Sequence, residues 1–293
     1  MKGYARLAAD RVFRTSGLAL QHEDADMPDE AETIERAALG DVYAAVPPAV
    51  RARLGVRILE VDGAFAGLAP GLPRSAIVLN RAIGLGVGQP ATANGVSGVI
   101  QAYRDAGVAR FFIHVHADAR PDALRGWIED EGLVRARGWQ KFRRDPLPPP
   151  GAATELEVRE IGAEHGESFA RIACAAFDLG EEAVEWLAEL PGRKGWRIVM
   201  AFHKGKPAAT GALFVHGGTA WFDWAATSPE FRRRGAQATL LDYRVRLALE
   251  SGCRTMYTAT GEAVTGDPQH SYSNILRAGF RETRLRENYA PPR

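Results

Sequence analysis

Arg232-Arg233-Arg234-Gly235-Ala236-Gln237-Ala238 is the stretch of this 293-residue sequence with the clearest chemistry. An apolar segment, Thr219 to Ala226, leads into it. A helical pattern follows, with apolar residues at Leu240, Leu241, Val245, Leu247, Ala248 and Leu249. A strand therefore hands over to a helix through a basic turn that holds a glycine. The first N–H groups of a helix have no intrahelical acceptor and lie at the positive end of its dipole. Such a turn suits a phosphate or pyrophosphate, gripped more by backbone than by side chains. Gly235 marks where a side chain would intrude. Read alone, the three arginines favour a solvated basic turn.

Other side chains are placed for proton chemistry. Asp223 stands among aromatics in Trp221-Phe222-Asp223-Trp224. Desolvation there would raise its pKa toward a useful value. It reads equally as a solvent-side carboxylate of an alternating strand, or one paired with an arginine. Glu262 lies just past the next strand, and Tyr272 follows His270 and Ser271. His114 and His116 share a strand face, with Asp118 the nearest third metal ligand. Two histidines on a partly exposed strand is the favoured reading, and no metal is expected. Cys174 and Cys253 have neither metal nor redox spacing, so free thiols are expected.

The elements that must position these groups fall into two series. The first begins with a basic, partly helical start, Met1 to Leu20. A helix opening at Pro28-Asp29-Glu30 runs to about Ala45. Strands are predicted over Val56–Ile58, Val61–Phe65 and Ser75–Ile83, a helix over Ala91–Ala106, and a strand over Phe111–Val115. A helix over Asp118–Glu131 and a strand over Leu133–Phe142 complete the series. Gly84-Leu85-Gly86-Val87-Gly88 lacks the spacing and basic residues of a phosphate loop. Asp145-Pro-Leu-Pro-Pro-Pro-Gly151 reads as an extended boundary. The division is 1–145, a linker 146–153, and 154–293.

Beyond the boundary the pattern restarts. A strand over Leu156–Ile161 is followed by helices over Ala163–Phe177 and Glu181–Leu190. Strands over Trp196–His203, Pro207–Val215 and Thr219–Thr227 are joined by short turns. The basic turn and its helix to Glu250 come next, then a strand over Arg254–Thr260, a helix over Pro268–Arg277 and a strand over Phe280–Tyr289. The shared order implies a duplicated domain. The Gly132-Leu133 and Gly279-Phe280 steps before the two last strands add to it.

Composition sets the class. A hydrophobic fraction of 46% and a charged fraction of 25% are those of a globular protein. The formal net charge of +1 gives no global electrostatic case for nucleic acid or an anionic membrane. No segment reads as a signal peptide or a bilayer span, so a cytoplasmic protein is expected. Nothing in the pattern specifies an oligomer.

The region from Glu155 to Pro292 resembles a GNAT-superfamily acetyltransferase domain. The family signature is Arg or Gln, two residues, Gly, one residue, then Gly or Ala. Arg232 and Gly235 match it within Pro229 to Gln237; Gln237 departs from the small last residue. Ser271 to Phe280, with Asn274 and Gly279-Phe280, is similar to the family's final helix. The whole chain then resembles a tandem arrangement with a degenerate first half. The fold class is α/β (α+β), each half a mixed, mostly antiparallel sheet flanked by helices.

The resemblance implies acetyl-CoA as cosubstrate, its pyrophosphate on the N–H groups of Arg233 to Ala238. The pantetheine arm would run along the backbone of Ala225, Ala226 and Thr227, with Asn274 bonding it. A backbone N–H near Ala226 would stabilise an oxyanion. Asp223 or Glu262 would be the base, unless water alone serves. Many members use a tyrosine acid where this sequence has Ile275, so Tyr272, one turn away, is the candidate. The implied reaction is direct transfer of acetyl to a primary amine of a small molecule or peptide, in a ternary complex. The acceptor cleft would use the Phe177 to Trp186 region and the first half. Asp178, Glu181, Glu182 and Glu185 would attract a cation there or form an exposed face. The alternative is a non-catalytic acyl-CoA-binding or regulatory module.

Overall fold

The computed structural model describes residues 29–267 and 269–293. The basic start expected over Met1 to Leu20 lies outside them, as does Pro28. Asp29 caps α1 (Glu30–Ala44), its carboxylate accepting the Ala31 N–H at 2.7 Å. Glu30 and Glu32 follow in the first turn, where the helix dipole favours negative charge.

The chain continues through α2 (Pro48–Leu54), β1 (Arg57–Val61), β2 (Ala64–Leu68), β3 (Arg81–Ile83), α3 (Ala93–Asp105), β4 (Phe112–Val115), α4 (Leu124–Asp130) and β5 (Val134–Arg144). After the proline-rich segment come β6 (Glu157–Ile161), α5 (Gly166–Ala176), α6 (Val184–Leu187), β7 (Trp196–His203), β8 (Lys206–His216), β9 (Thr219–Thr227), α7 (Ala236–Glu250), β10 (Thr255–Gly261), α8 (His270–Arg277) and β11 (Arg281–Ala290).

Four expected elements are shorter or different; the strand expected over Val61–Phe65 instead spans the turn at Asp62-Gly63 that joins β1 to β2. Only Arg81–Ile83 of the strand expected over Ser75–Ile83 is extended. The apolar Ala76 to Leu79 instead closes turns, with Ala76 N–H on Pro73 O and Asn80 N–H on Ala76 O, while Ala76 and Leu79 are buried in the core. A short apolar run without alternation reads as a buried strand in sequence, whereas here it is a buried turn. The helix expected over Asp118–Glu131 begins at Leu124, and that over Glu181–Leu190 keeps one short α segment after a 3-10 turn.

The described strands make one eleven-stranded sheet, in the order β1-β2-β3-β4-β11-β5-β10-β9-β8-β7-β6. Its two sides are crossed. β5, which precedes the proline-rich segment, pairs antiparallel with β10, which follows it. β11 in turn pairs with β4. Two parallel contacts interrupt the otherwise antiparallel order, β3 with β4 and β9 with β10. A core cluster joins the two sequence regions: Ile34, Val42, Tyr43 and Phe65 pack with Phe169, Trp186, Trp196 and Trp224. Trp186 donates its indole N–H to Val42 O at 2.7 Å.

Charged groups are buried within this shared core. Glu32 and Glu35 from α1 meet Arg81 of β3, Lys141 of β5 and Arg286 of β11. Burial opposes the charge of Glu35, but Arg286, Lys141 and Arg81 hold its carboxyl well below the usual carboxylate range. One helix is thus fastened by its acids to three strands from across the sheet.

Candidate functional site

β9 and β10 run side by side only from Thr219/Thr255 to Phe222/Thr258. Beyond that point β10 stays with β5, through Gly261 opposite Trp139. β9 stays with β8 but carries a bulge. Asp223 pairs with Ala212 and Ala226 with Thr210, so Trp224 and Ala225 oppose Gly211 alone. The extra residue puts Trp224 at φ +49, a conformation that non-glycine residues rarely adopt. The two strands therefore splay into a fork. Thr258 Oγ1 closes its base by donating to Phe222 O at 3.0 Å.

A cavity of about 310 Å³ occupies the fork. On one side it is lined by Gln237, Leu241 and Arg244 of α7, and by Ser271, Asn274 and Ile275 of α8. On the other it reaches Glu35, Leu39 and Val42 of α1, with Val78, Arg81, Trp139 and Phe177. It is of a size that takes a small ligand, at the low end of the roughly 300–1,000 Å³ usual for such sites.

The α7 end has the features of an anion site. Gly235 caps the helix at φ +77, and Arg233 also has positive φ, at +62. Helical geometry leaves the N–H groups of Ala236, Gln237 and Ala238 without an intrahelical acceptor; the first such bond is Thr239 N–H to Gly235 O at 3.2 Å. Arg232 and Arg233 are exposed, whereas Arg234 pairs with Glu155 at 2.6 Å. A side chain on Gly235 would meet the Ala153 carbonyl at 2.7 Å. Gln237 folds back onto the strand end, donating to Ala226 O at 2.9 Å and Thr227 Oγ1 at 2.8 Å. It thereby ties the helix start to the mouth of the fork. Ala225 and Asn274 line the cavity, and Asn274 Oδ1 accepts from Arg277 at 3.0 Å.

The start of α3 is capped by the chain itself, Thr92 Oγ1 accepting Gly95 N–H at 2.9 Å. The Asp62 carboxylate accepts Thr92 N–H at 2.8 Å and Thr92 Oγ1–H at 2.7 Å, at the N-terminus of α3. Ala91 N–H bonds Arg120 O and Arg120 N–H bonds Gly86 O, both at 2.9 Å.

Asp223 lies in the cavity wall. Burial raises its pKa; Arg81 and the donated N–H groups of Trp224 (2.8 Å) and Trp221 (3.1 Å) partly offset this. The other two acid–base candidates lie elsewhere. Glu262 accepts Gly138 N–H at 3.1 Å and supports the β5–β10 junction. Tyr272 packs edge-on against Phe142, ring centres 4.9 Å apart, and neither residue lines the cavity. Burial and Glu282 push the Tyr272 phenol up to about 12. Phe177 reaches the cavity, but the acids near it do not: Glu181 pairs with Arg171 and Glu185 with Arg53.

His114 bonds Asn288 at 2.5 Å, and His116 lies 2.9 Å from Asp29. Among the described residues no three ligating side chains gather as a metal site, and no helix is long and apolar enough to cross a membrane.

Arg81, Glu35, Trp139 and Arg244 are site residues that the sequence reading did not single out. The signal for Arg244 was a charge inside an apolar helical face, four residues after Leu240. Its guanidinium lies 5.2 Å over the Phe222 ring and donates to Ala212 O at 3.0 Å. Gly211 leaves room for it, since a Cβ there would meet the guanidinium carbon at 2.7 Å. Burial lowers its pKa to about 10.

Solved structures share this fold. A GCN5-related N-acetyltransferase from Kribbella flavida has 18% identity and a TM-score of 0.61, with 90% of this chain and 96% of that one covered. A tandem GNAT protein from the clavulanic acid biosynthesis pathway has 15% identity and a TM-score of 0.55, over 88% and 93%. A GCN5-related N-acetyltransferase from Sphaerobacter thermophilus has 15% identity and a TM-score of 0.54, over 78% and 79%. No curated protein matches the sequence. The family model of the acetyltransferase (GNAT) domain matches residues 94–264, from α3 through the fork and past β10. That match spans more than half of the 293 residues, and the chain belongs to the GNAT acetyltransferase family.

Proposed function

We propose that the fork binds acetyl-CoA and passes its acetyl group to a primary amine held on the α1 side. The observation that carries this is one cavity joining the α7 N-terminus to Asp223. The free N–H groups of Ala236 to Ala238 hold the pyrophosphate. The backbone of Ala225 to Thr227 and Asn274 guide the pantetheine arm, with Gln237 fixing the strand end. Asp223 takes the proton that the amine nitrogen loses as it attacks the thioester carbon. The C–N bond forms, the C–S bond breaks, and solvent on the Ser271 side protonates the thiolate. A positioned base of this kind contributes roughly 10²–10⁴-fold. The tandem reading, a first half that has lost its own anion site, is supported by Asp62 at the start of α3.

A second reading, an acyl-CoA-binding module without turnover, draws on Ile275. This apolar residue lines the cavity where many members place a tyrosine. Thermal unfolding with acetyl-CoA, followed by thiol release with a panel of amines, tests both. The enzyme is expected to gain melting temperature with acetyl-CoA and to release thiol only when an amine is present. Gln237→Glu, which places a carboxylate beside the phosphates, is expected to weaken acetyl-CoA binding at least about tenfold. An unchanged melting temperature at saturating acetyl-CoA refutes binding; binding without amine-dependent thiol release favours the module.

A further inference from the structure

The acceptor half of the cavity has an imbalance of charge and of hydrogen-bond donors. In the buried cluster beside it, Arg81, Lys141 and Arg286 face only Glu32 and Glu35. Counting Arg244 and Asp223 as well leaves four cations with three carboxylates among the described residues. The donors are uneven too. Arg81 Nε, Trp224 Nε1 and Arg244 Nη2 are buried side-chain donors with no partner among the described residues, and all three residues line the cavity. Among the described residues that line the cavity, no buried side-chain acceptor is left unpaired. Buried donors without an acceptor are costly, so three in one cavity call for an acceptor-rich partner.

Their positions specify that partner further. Arg81 is 4% exposed, with its guanidinium 5.0 Å over Trp139 and one arm on Glu35 at 2.5 Å. Trp224 packs edge-on to Phe177, on the side of the sheet that faces α1. Arg244 comes from α7, on the proposed cofactor side. The same cavity is also lined by the apolar Leu39, Val42, Val78 and Phe177. Asp223 is the carboxylate in this half that no cation pairs directly.

We propose that the acetyl acceptor is a small α-amino acid with an apolar side chain. The unpaired N–H groups of Arg81 and Trp224 hold its carboxylate, Asp223 faces its amine, and the apolar wall takes its side chain. This rests on the reading of the α1 side as the acceptor half. A polyamine would add positive charge where cations already outnumber carboxylates, and a peptide-chain lysine has no carboxylate to offer.

Calorimetric binding of L-leucine and L-phenylalanine to the full chain, against isoamylamine and phenethylamine, tests the proposal with and without CoA. The amino acids are expected to bind at least about tenfold more tightly than the amines that lack only the carboxylate. Arg81→Met is expected to erase that preference and Arg81→Lys to keep part of it. If Arg81→Met fails to fold, the wild-type comparison decides alone. Amines that bind as well as their parent amino acids, or amino acids that do not bind, overturn the proposal. Amino-acid binding without acetyl-CoA-dependent thiol release would instead refute acetyl transfer and leave this assignment standing. Thiol release driven by amines alone would do the reverse.

Discussion

Arg286 meets Glu35 through both arms of its guanidinium, at 2.6 and 3.0 Å, across 251 residues of sequence. Both residues are fully buried. The same Glu35 also meets Lys141 and Arg81. Glu35→Ala therefore leaves three buried cations facing Glu32 alone. Breaking a buried pair on one side costs about 3–5 kcal/mol, and urea unfolding is expected to show a loss of that order. A change within experimental error would mean that the cluster is solvated.

Asp223 sets the expected pH dependence of turnover. Its carboxyl titrates above the ordinary range because burial disfavours the charged form. As the proposed base it is competent only when ionised, so kcat/KM is expected to rise with pH through that raised pKa. Asp223→Asn is expected to lower kcat about 10²–10⁴-fold and to remove this limb, with acetyl-CoA affinity kept. A retained limb would assign the ionisation to another group.

Tyr272 and Glu262 are expected to be dispensable for chemistry. One packs on Phe142, the other supports Gly138, and neither lines the cavity. Tyr272→Phe and Glu262→Gln are expected to keep kcat/KM within about threefold, under 1 kcal/mol of transition-state energy. A larger loss in kcat at unchanged stability would return either residue to the mechanism.

Gly235 was legible as the residue whose size matters, and the structure supplies the neighbour. A Cβ at φ +77 would be strained and would press on the Ala153 carbonyl. Gly235→Ala is expected to cost about 1–3 kcal/mol in urea unfolding and to weaken acetyl-CoA binding. A fully stable variant would mean that the segment at Ala153 moves aside.

Asp29 provides an acid-stability test. Burial opposes its charge, but the hydrogen bond and charge of His116 hold its carboxyl at about 2, against 3.8 for a free aspartate. A depressed carboxylate stabilises the fold above the unfolded value, and that contribution is lost as pH falls through the folded one. Asp29→Asn still caps α1, so it isolates the charge. It is expected to remove about 2 kcal/mol at neutral pH and nothing at pH values below about 2. Equal losses at both pH values would point to the cap instead.

The α7 turn, the helix after it and the Asn274 to Phe280 element were readable because each depends on local pattern: a glycine, a period, an order. The part of the cavity proposed to hold the acceptor was not. Arg81, Trp139 and Glu35 come from a three-residue strand, a long strand and a helix, and only the sheet order brings them together. Lys141, between Gln140 and Phe142, reads as one polar residue of a strand. Its burial against Glu35 and its place 4.9 Å over the Trp221 ring depend on β5 crossing to β10. Strand partners more than a hundred residues apart leave no periodic trace. A boundary drawn at prolines gives no sign that strands are shared across it.

That crossing of β5 and β11 also governs assembly. On the ribosome, β4 emerges well before β11, the strand it must pair with, so its edge stays open through most of synthesis. Such an edge invites pairing with other chains until it is covered. Cutting the chain within the proline-rich segment would produce two fragments that each hold the strand the other lacks. They would be natural partners for split-protein complementation, and poor candidates for expression alone.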